Sequence, residues 1–187
     1  LYLPNFLSWV IIAGISTQLF SSSGLVNNVL NALGIGTVNF LTNSFIWRIV
    51  YWFFGVWQGA GYSLIVYLAA LMATDASLGE AAYIDGATRL QRIWYVTLPQ
   101  ISSTITVLLI MQVGKLVTIS FDRPYMMGNS LVRDASDVIS TYVYSIGLAA
   151  GRFDFATAVG LFQTVVGVVL VLSANAVIKK MGQEGIV

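Results

Sequence analysis

Glu80-Ala81-Ala82-Tyr83-Ile84-Asp85-Gly86-Ala87-Thr88-Arg89-Leu90-Gln91-Arg92-Ile93-Trp94-Tyr95-Val96-Thr97-Leu98-Pro99 is a polar island between two long apolar stretches. It gathers Glu80, Asp85, Arg89 and Arg92 in a chain where charge is otherwise scarce. Hydrophobic segments on both sides hold such an island at a membrane surface, within reach of a soluble partner. Its local chemistry reads as helix, turn, helix. Ser77-Leu78-Gly79-Glu80 fits a capping box, with Asp75 as a competing cap, and an acidic side chain in the first turn suits the helix dipole. Ala81, Ala82, Gly86 and Ala87 keep this helix thin, so another surface can approach closely. Gly86 costs about 1 kcal/mol relative to alanine inside a helix, which points to a bend or a close contact there. Arg89 to Val96 can resume a helix, and Pro99 suits the first turn of the span that follows.

Composition sets the environment of the island. Hydrophobic residues make up 57% of the 187 and charged residues 9%, against roughly 25% charged in soluble domains. With a mean hydropathy of +0.81, the chain reads as an integral membrane protein. A net charge of +1 without any basic run gives no sign of a nucleic-acid partner. Cysteine and histidine are both absent. That removes disulfides, thiolate nucleophiles, His- or Cys-built metal sites and imidazole acid-base chemistry. The first apolar stretch lacks the basic flank and cleavage signature of a signal peptide. Because the chain begins at Leu1 rather than Met, it is expected to be part of a longer one.

Four spans are expected, each about 20 apolar residues long: Leu3 to Phe20, Ile49 to Thr74, Ile101 to Phe121 and Phe155 to Ile178. Leu25 to Phe45 is punctuated by Asn27, Asn28, Asn31, Gly34 and Gly36 and reads as a loop with a short helix over Val26 to Leu33. A polar segment, Asp122 to Asp154, separates the last two spans, with room for a short helix over Val138 to Ala150. Backbone groups in hydrocarbon must be bonded within their own segment, so the spans are helices. Four spans place the island and the C-terminal Lys179-Lys180 on one side. Arginine and lysine divide evenly between the two sides, so the positive-inside rule does not orient the chain.

Glu80-Ala81-Ala82, Gly86 and, after nine intervening residues, Val96-Thr97-Leu98-Pro99 resemble the EAA loop of ABC importer permeases, whose cytoplasmic loop docks on the ATPase subunit. The similarity extends to Leu3-Pro4-Asn5-Phe6-Leu7-Ser8-Trp9-Val10, Tyr67 to Leu71, Thr141 to Tyr144, Ala156 to Phe162, Val166-Gly167 and Gly182-Gln183-Glu184-Gly185. These stretches resemble the sugar-type permeases of the binding-protein-dependent importer family, in the branch serving polysaccharide-derived oligosaccharides, including aldouronate- and alginate-type systems. The resemblance implies an all-α membrane protein, a type I importer transmembrane domain over residues 1–187, with the coupling loop at 75–99. It implies that four spans of a six-helix core are present and that the first two core helices are not. It further implies a multi-pass protein of the bacterial inner membrane with ABC ATPase subunits, a second permease subunit and an extracytoplasmic solute-binding protein as partners. The carried solute would be a sugar or oligosaccharide. Glu80, Ala81, Ala82, Asp85, Gly86, Ala87, Arg89, Leu98 and Pro99 would form the coupling surface. The chain has no GxxxxGK[ST] phosphate loop, so ATP and Mg would be used by the partner ATPase, with no cofactor and no enzymatic activity in this chain.

Polar and aromatic residues within the spans are candidates for the solute path: Lys115, Gln112, Gln58, Trp57 and Tyr62. Lys115 falls inside the third expected span, where a cation costs roughly 2.5–3.5 kcal/mol. It either contacts a solute or reaches the outer interface or a neighbouring subunit. Gly55 and Gly59 have the small-xxx-small spacing of helix packing. An ion-coupled transporter or channel is the alternative function. All eight acidic residues lie in loops or at span ends, which disfavours proton coupling.

Overall fold

The computed structural model describes residues 2–180 and Gly182; Gln183 to Gly185, part of the family-like tail, lie outside the described residues. All regular structure among these residues is helical. After a 3-10 turn at Leu3–Phe6 come α1 (Trp9–Phe20), α2 (Leu25–Ala32), α3 (Ser44–Met72) and α4 (Ala76–Ile84). Helix α5 (Arg89–Gln100) contains a π-helical turn at Ile93–Thr97, and a 65° bend separates it from α6 (Ser102–Gly114). Then follow α7 (Asp122–Met127), a 3-10 turn at Ser130–Val132, α8 (Arg133–Ser136), α9 (Ile139–Ala149) and α10 (Phe153–Lys180). Helix α9 is π-helical from Tyr144 to Ala149. Two compact units result: the chain as far as Tyr62 with Ile119–Gly160, and Ser63–Thr118 with the chain from Leu161 onward.

Three stretches are long and apolar enough to cross a membrane: Trp9–Ala32, Ser44–Met72 and Phe153–Lys180. The bent pair α5 and α6 makes a fourth if it counts as one span. The first span differs from expectation because Ser8 caps α1, its hydroxyl accepting from the Ile11 amide at 3.4 Å, so the helix starts at Trp9 rather than Leu3. Helix α3 starts earlier than Ile49 because Asn43 accepts the amides of Phe45 and Ile46 at 3.0 and 3.2 Å. That cap satisfies two orphan N–H groups and carries the helix through Arg48. Helix α6 stops at Gly114, seven residues short of Phe121. Gly114 is a poor helix former and the β-branched Val117 and Thr118 follow. The Val117 carbonyl, outside any helix, accepts the Gln163 amide at 2.9 Å. Lys115 is consequently the C-cap of α6, with its side chain exposed, and not an interior helix residue.

In the first unit the core is Ile12, Trp47, Val50, Phe54, Met127 and Val132, joining α1, α3, α7 and the turn before α8. Trp47 is 1% exposed and its indole N–H donates to the Met127 carbonyl at 2.9 Å, so burying the ring leaves no polar atom unsatisfied. Asn27, fully buried, does the same for the connection to α3. Its amide donates to the carbonyls of Ser21 and Val38 while its oxygen accepts the Val38 N–H. The polar residues that mark this segment as a loop therefore fold it.

The expected small-residue packing at Gly55 takes another form. A side chain at 55 would overlap the Arg123 guanidinium, which lies over the Tyr51 ring, 3.7 Å from its centroid, and near the Trp9 ring at 5.2 Å. Arg123 also donates to the Tyr51 carbonyl. Gly55 seats a cation rather than a neighbouring helix, and a Cβ at Gly59 meets nothing within 4 Å. Close approaches between helices fall elsewhere: a Cβ at Gly114 would lie 2.6 Å from a Val171 methyl of α10 in the second unit, and one at Gly147 of α9 would lie 2.5 Å from the Ala156 Cβ of α10 in the first.

Candidate functional site

The polar island forms a helical hairpin, α4 and α5, whose ends are closed by side-chain and backbone caps. Asp75, not Ser77, starts α4: its carboxylate accepts the Ser77 amide at 2.9 Å. The Ser77 side chain and amide, both bonding to it, hold the Asp75 carboxyl below its ordinary value. Because the helix begins at Ala76, Glu80 sits beyond the reach of a capping box.

Gly86 ends α4 rather than bending it. Its φ is +81°, and the amides of Gly86 and Ala87 donate to the carbonyls of Tyr83 and Ala82 at 3.1 and 3.0 Å. This is the Schellman pattern, which needs a left-handed residue that glycine adopts without penalty. Two residues later Thr88 opens α5 with a complete capping box: Gln91 N–H to the Thr88 hydroxyl at 3.4 Å, and Thr88 N–H to the Gln91 side chain at 2.8 Å. Thr88-x-x-Gln91 carries the capping-box signature in the sequence, and the box forms there rather than at Ser77 and Glu80.

The π turn of α5 precedes Pro99. The Leu98 N–H bonds to the carbonyl of Ile93, five residues back. A proline in a regular helix presses its ring against the carbonyl four residues before it, and a widened turn just upstream relieves that crowding. The bend follows at Ile101, with the Pro99 carbonyl taken by the Ser102 hydroxyl at 2.7 Å.

Gln100 joins the two ends of the hairpin. Its side-chain oxygen accepts the Asp75 N–H at 3.0 Å while its amide donates to the Val96 carbonyl at 3.2 Å. In a capping box the residue three into the helix would accept the cap's own N–H. In α4 that residue is Leu78, which has no acceptor, and Gln100 supplies one from 25 residues away. Sequence offered no signal for this pairing.

Glu80, Ala81, Asp85, Gly86, Arg89 and Pro99 are exposed, and Ala82, Ala87 and Leu98 are half-buried. None of Glu80, Asp85 and Arg89 is ion-paired among the described residues. Arg92, whose guanidinium lies 5.2 Å from the centre of the Tyr83 ring, lines two hollows. One, of about 370 Å³, also holds Ala82, Asp85, Gly86 and Tyr95; the other, of about 580 Å³, holds Gly79, Glu80, Tyr83 and Ile84. Ile84 is 83% exposed and Tyr95 81%, with Tyr83, Leu90 and Trp94 also exposed beside them. Large apolar side chains grouped on a polar hairpin mark an interaction surface.

The solute-path candidates are distributed over two helices. Trp57, Gln58 and Tyr62 lie on α3, Gln112 near the end of α6 and Lys115 at its cap. Gln58 donates to the Leu7 carbonyl at 3.0 Å, and Trp57 meets the Phe54 ring edge to face at 6.0 Å. Tyr62 and Gln112 are exposed. No group of three acidic side chains placed to hold a metal ion occurs among the described residues.

Comparison with known proteins agrees along nearly the whole chain. The chain is 43% identical over all its residues to the polygalacturonan/rhamnogalacturonan transport system permease protein YteP of Bacillus subtilis (strain 168), and spans 58% of that protein's length. It is 40% identical to the protein LplB of the same organism, again over the full chain, and spans 59% of it. Its fold superposes with a TM-score of 0.93 and 42% identity on a chain from the crystal structure of a bacterial alginate ABC transporter in complex with an alginate pentasaccharide-bound periplasmic protein. That match covers 99% of this chain and 65% of the other. The model of the binding-protein-dependent transport system inner membrane component matches residues 2–182, and the chain belongs to that family.

Proposed function

We propose that this chain is part of the permease subunit of an ATP-driven importer and lines the passage for a sugar or oligosaccharide delivered by a solute-binding protein. The hairpin α4–α5 seats on an ABC ATPase, which supplies ATP and Mg chemistry, and a second permease subunit completes the passage. The observation that carries this reading is the hairpin itself. It is a rigid, doubly capped element that displays Tyr83, Ile84 and Tyr95 to solvent at the position of the EAA motif. Such a surface transmits motion only if its partner grips it, and the apolar groups provide the grip. The saccharide class is supported by the relatives, the polygalacturonan/rhamnogalacturonan permease YteP among them.

The test uses the full-length permease assembled with its ATPase, partner permease and binding protein. Ile84→Asp places a charge in the grip without touching the protein's own core. It is expected to abolish solute-stimulated ATP hydrolysis and co-purification of the ATPase while membrane insertion stays normal. Full stimulation in that variant would overturn the proposal.

A further inference from the structure

In the first unit, α7, α8, α9 and the turn between α7 and α8 enclose a pocket of about 340 Å³ that the coupling hairpin does not use. We propose that it is a subsite for one pyranose ring of the transported saccharide, an assignment that rests on the import reading above. Its size falls within the roughly 300–1,000 Å³ of small-molecule sites, which pair apolar walls with a few placed polar groups.

One wall is aromatic. Tyr125 and Tyr144 line the pocket with ring centroids 5.4 Å apart, and Phe121 backs both, at 4.6 and 4.8 Å. Neither tyrosine hydroxyl is hydrogen-bonded among the described residues, which leaves both able to donate and accept. Tyr144 opens the π-helical turn of α9, a distortion frequent at functional sites. The lining also carries Arg133 and Asp137, paired at 3.4 Å, with side chains 74% and 49% exposed.

This combination selects its ligand. A carboxylate or phosphate would want an uncompensated cation, and Asp137 compensates Arg133. A lipid tail has no use for the ion pair or the free hydroxyls. A sugar ring needs an aromatic surface for its C–H face together with donors and acceptors side by side for its hydroxyls, and the lining supplies both. The walls are also set in advance. Asn129 is fixed between the Leu41 carbonyl at 2.9 Å and the Leu131 amide at 3.0 Å, and the neighbouring Val132 is fully buried. A pocket held this way loses little on binding.

The test is saturation-transfer NMR on the complete importer in nanodiscs without its binding protein, using trigalacturonate and maltotriose as probes. Ring protons of both sugars should receive magnetisation. Tyr144→Ala and, separately, the exposed Asp137→Ala should weaken binding about three- to tenfold, the size of one lost aromatic or polar contact. Asp137→Ala guards against a Tyr144 variant that misfolds. No transfer to wild type, or equal transfer to all variants, would overturn the subsite, as would an effect confined to trigalacturonate, which would assign the site to a carboxylate. ATP-driven uptake of a panel of neutral and uronic oligosaccharides is the separate arm. Uptake with an unaffected pocket leaves the import reading standing, and uptake of none removes both.

Discussion

Gln100→Ala tests whether the hairpin is held as a closed frame. The substitution removes the acceptor of the Asp75 N–H and the donor to the Val96 carbonyl, bonds of 3.0 and 3.2 Å. Each such bond is worth about 0.5–1.5 kcal/mol net, and water can replace part of it here because the Asp75 side of the contact is exposed. The expected loss is about 1–2 kcal/mol of local stability, or roughly a 5- to 30-fold rise in the open population. Hydrogen exchange followed by mass spectrometry on the complete complex reads this directly. Amides of residues 75–78 should exchange faster by about that factor, with α10 unaffected. Exchange at 75–78 changed by less than about twofold in Gln100→Ala would show that the frame closes by other means and refute the reasoning.

Gly86→Ala should cost about 1–2 kcal/mol through its left-handed backbone and Gly86→Asn less, read by chemical denaturation; because nothing lies within 4 Å of a Cβ there, a loss of solute-stimulated ATP hydrolysis beyond that cost would support the proposed ATPase seat. Gly114→Val should destabilise by about 1–3 kcal/mol as it drives into Val171, whereas Gly59→Ala should be tolerated, and thermal unfolding of the two separates them. The Asp75 carboxyl is lowered by Ser77, so its capping contribution is complete above the ordinary carboxylate range and is lost as pH falls through the lowered value; Asp75→Asn should remove that pH dependence from exchange at residues 76–78. Ser130→Cys, in a chain with no native cysteine, should react with impermeant thiol reagents from outside the cell and not from the cytoplasm.

The sequence exposed what composition and motif order encode: helical spans, the interrupted loop before α3, the short helix over residues 139–149 and the helix-turn-helix at 75–99. Helix ends were less legible. Ser8 and Asn43 shift α1 and α3 because a single side-chain oxygen outweighs the hydropathy of its neighbours. Gly114 and the Gln163 contact cut α6 short, and the second partner lies 46 residues from the carbonyl it satisfies. Gly86 stands out in the sequence, but its identity does not distinguish a kink within a helix from the left-handed end of one, which is what its φ of +81° makes it. Gln100 and the pocket between Tyr144 and Asp137 were invisible for a related reason: both arise from side chains meeting across folded segments, which no local spacing records.

The π turn at Ile93–Thr97 changes what spacing means along the hairpin. An α-helix advances about 100° per residue, and one residue taken into a wider turn sets everything after it back by a comparable angle. Arg89 and Arg92 on one side of the turn are therefore out of phase with Leu98 and Pro99 on the other, whatever a helical wheel suggests. Removing a single residue from this stretch would restore the regular ladder and leave Leu98 and Pro99 at the angle they now hold, because the wider turn has absorbed that residue. The π turn thus lets the hairpin carry one residue more than a regular helix would between Arg89 and Pro99 at the same angle between its two ends.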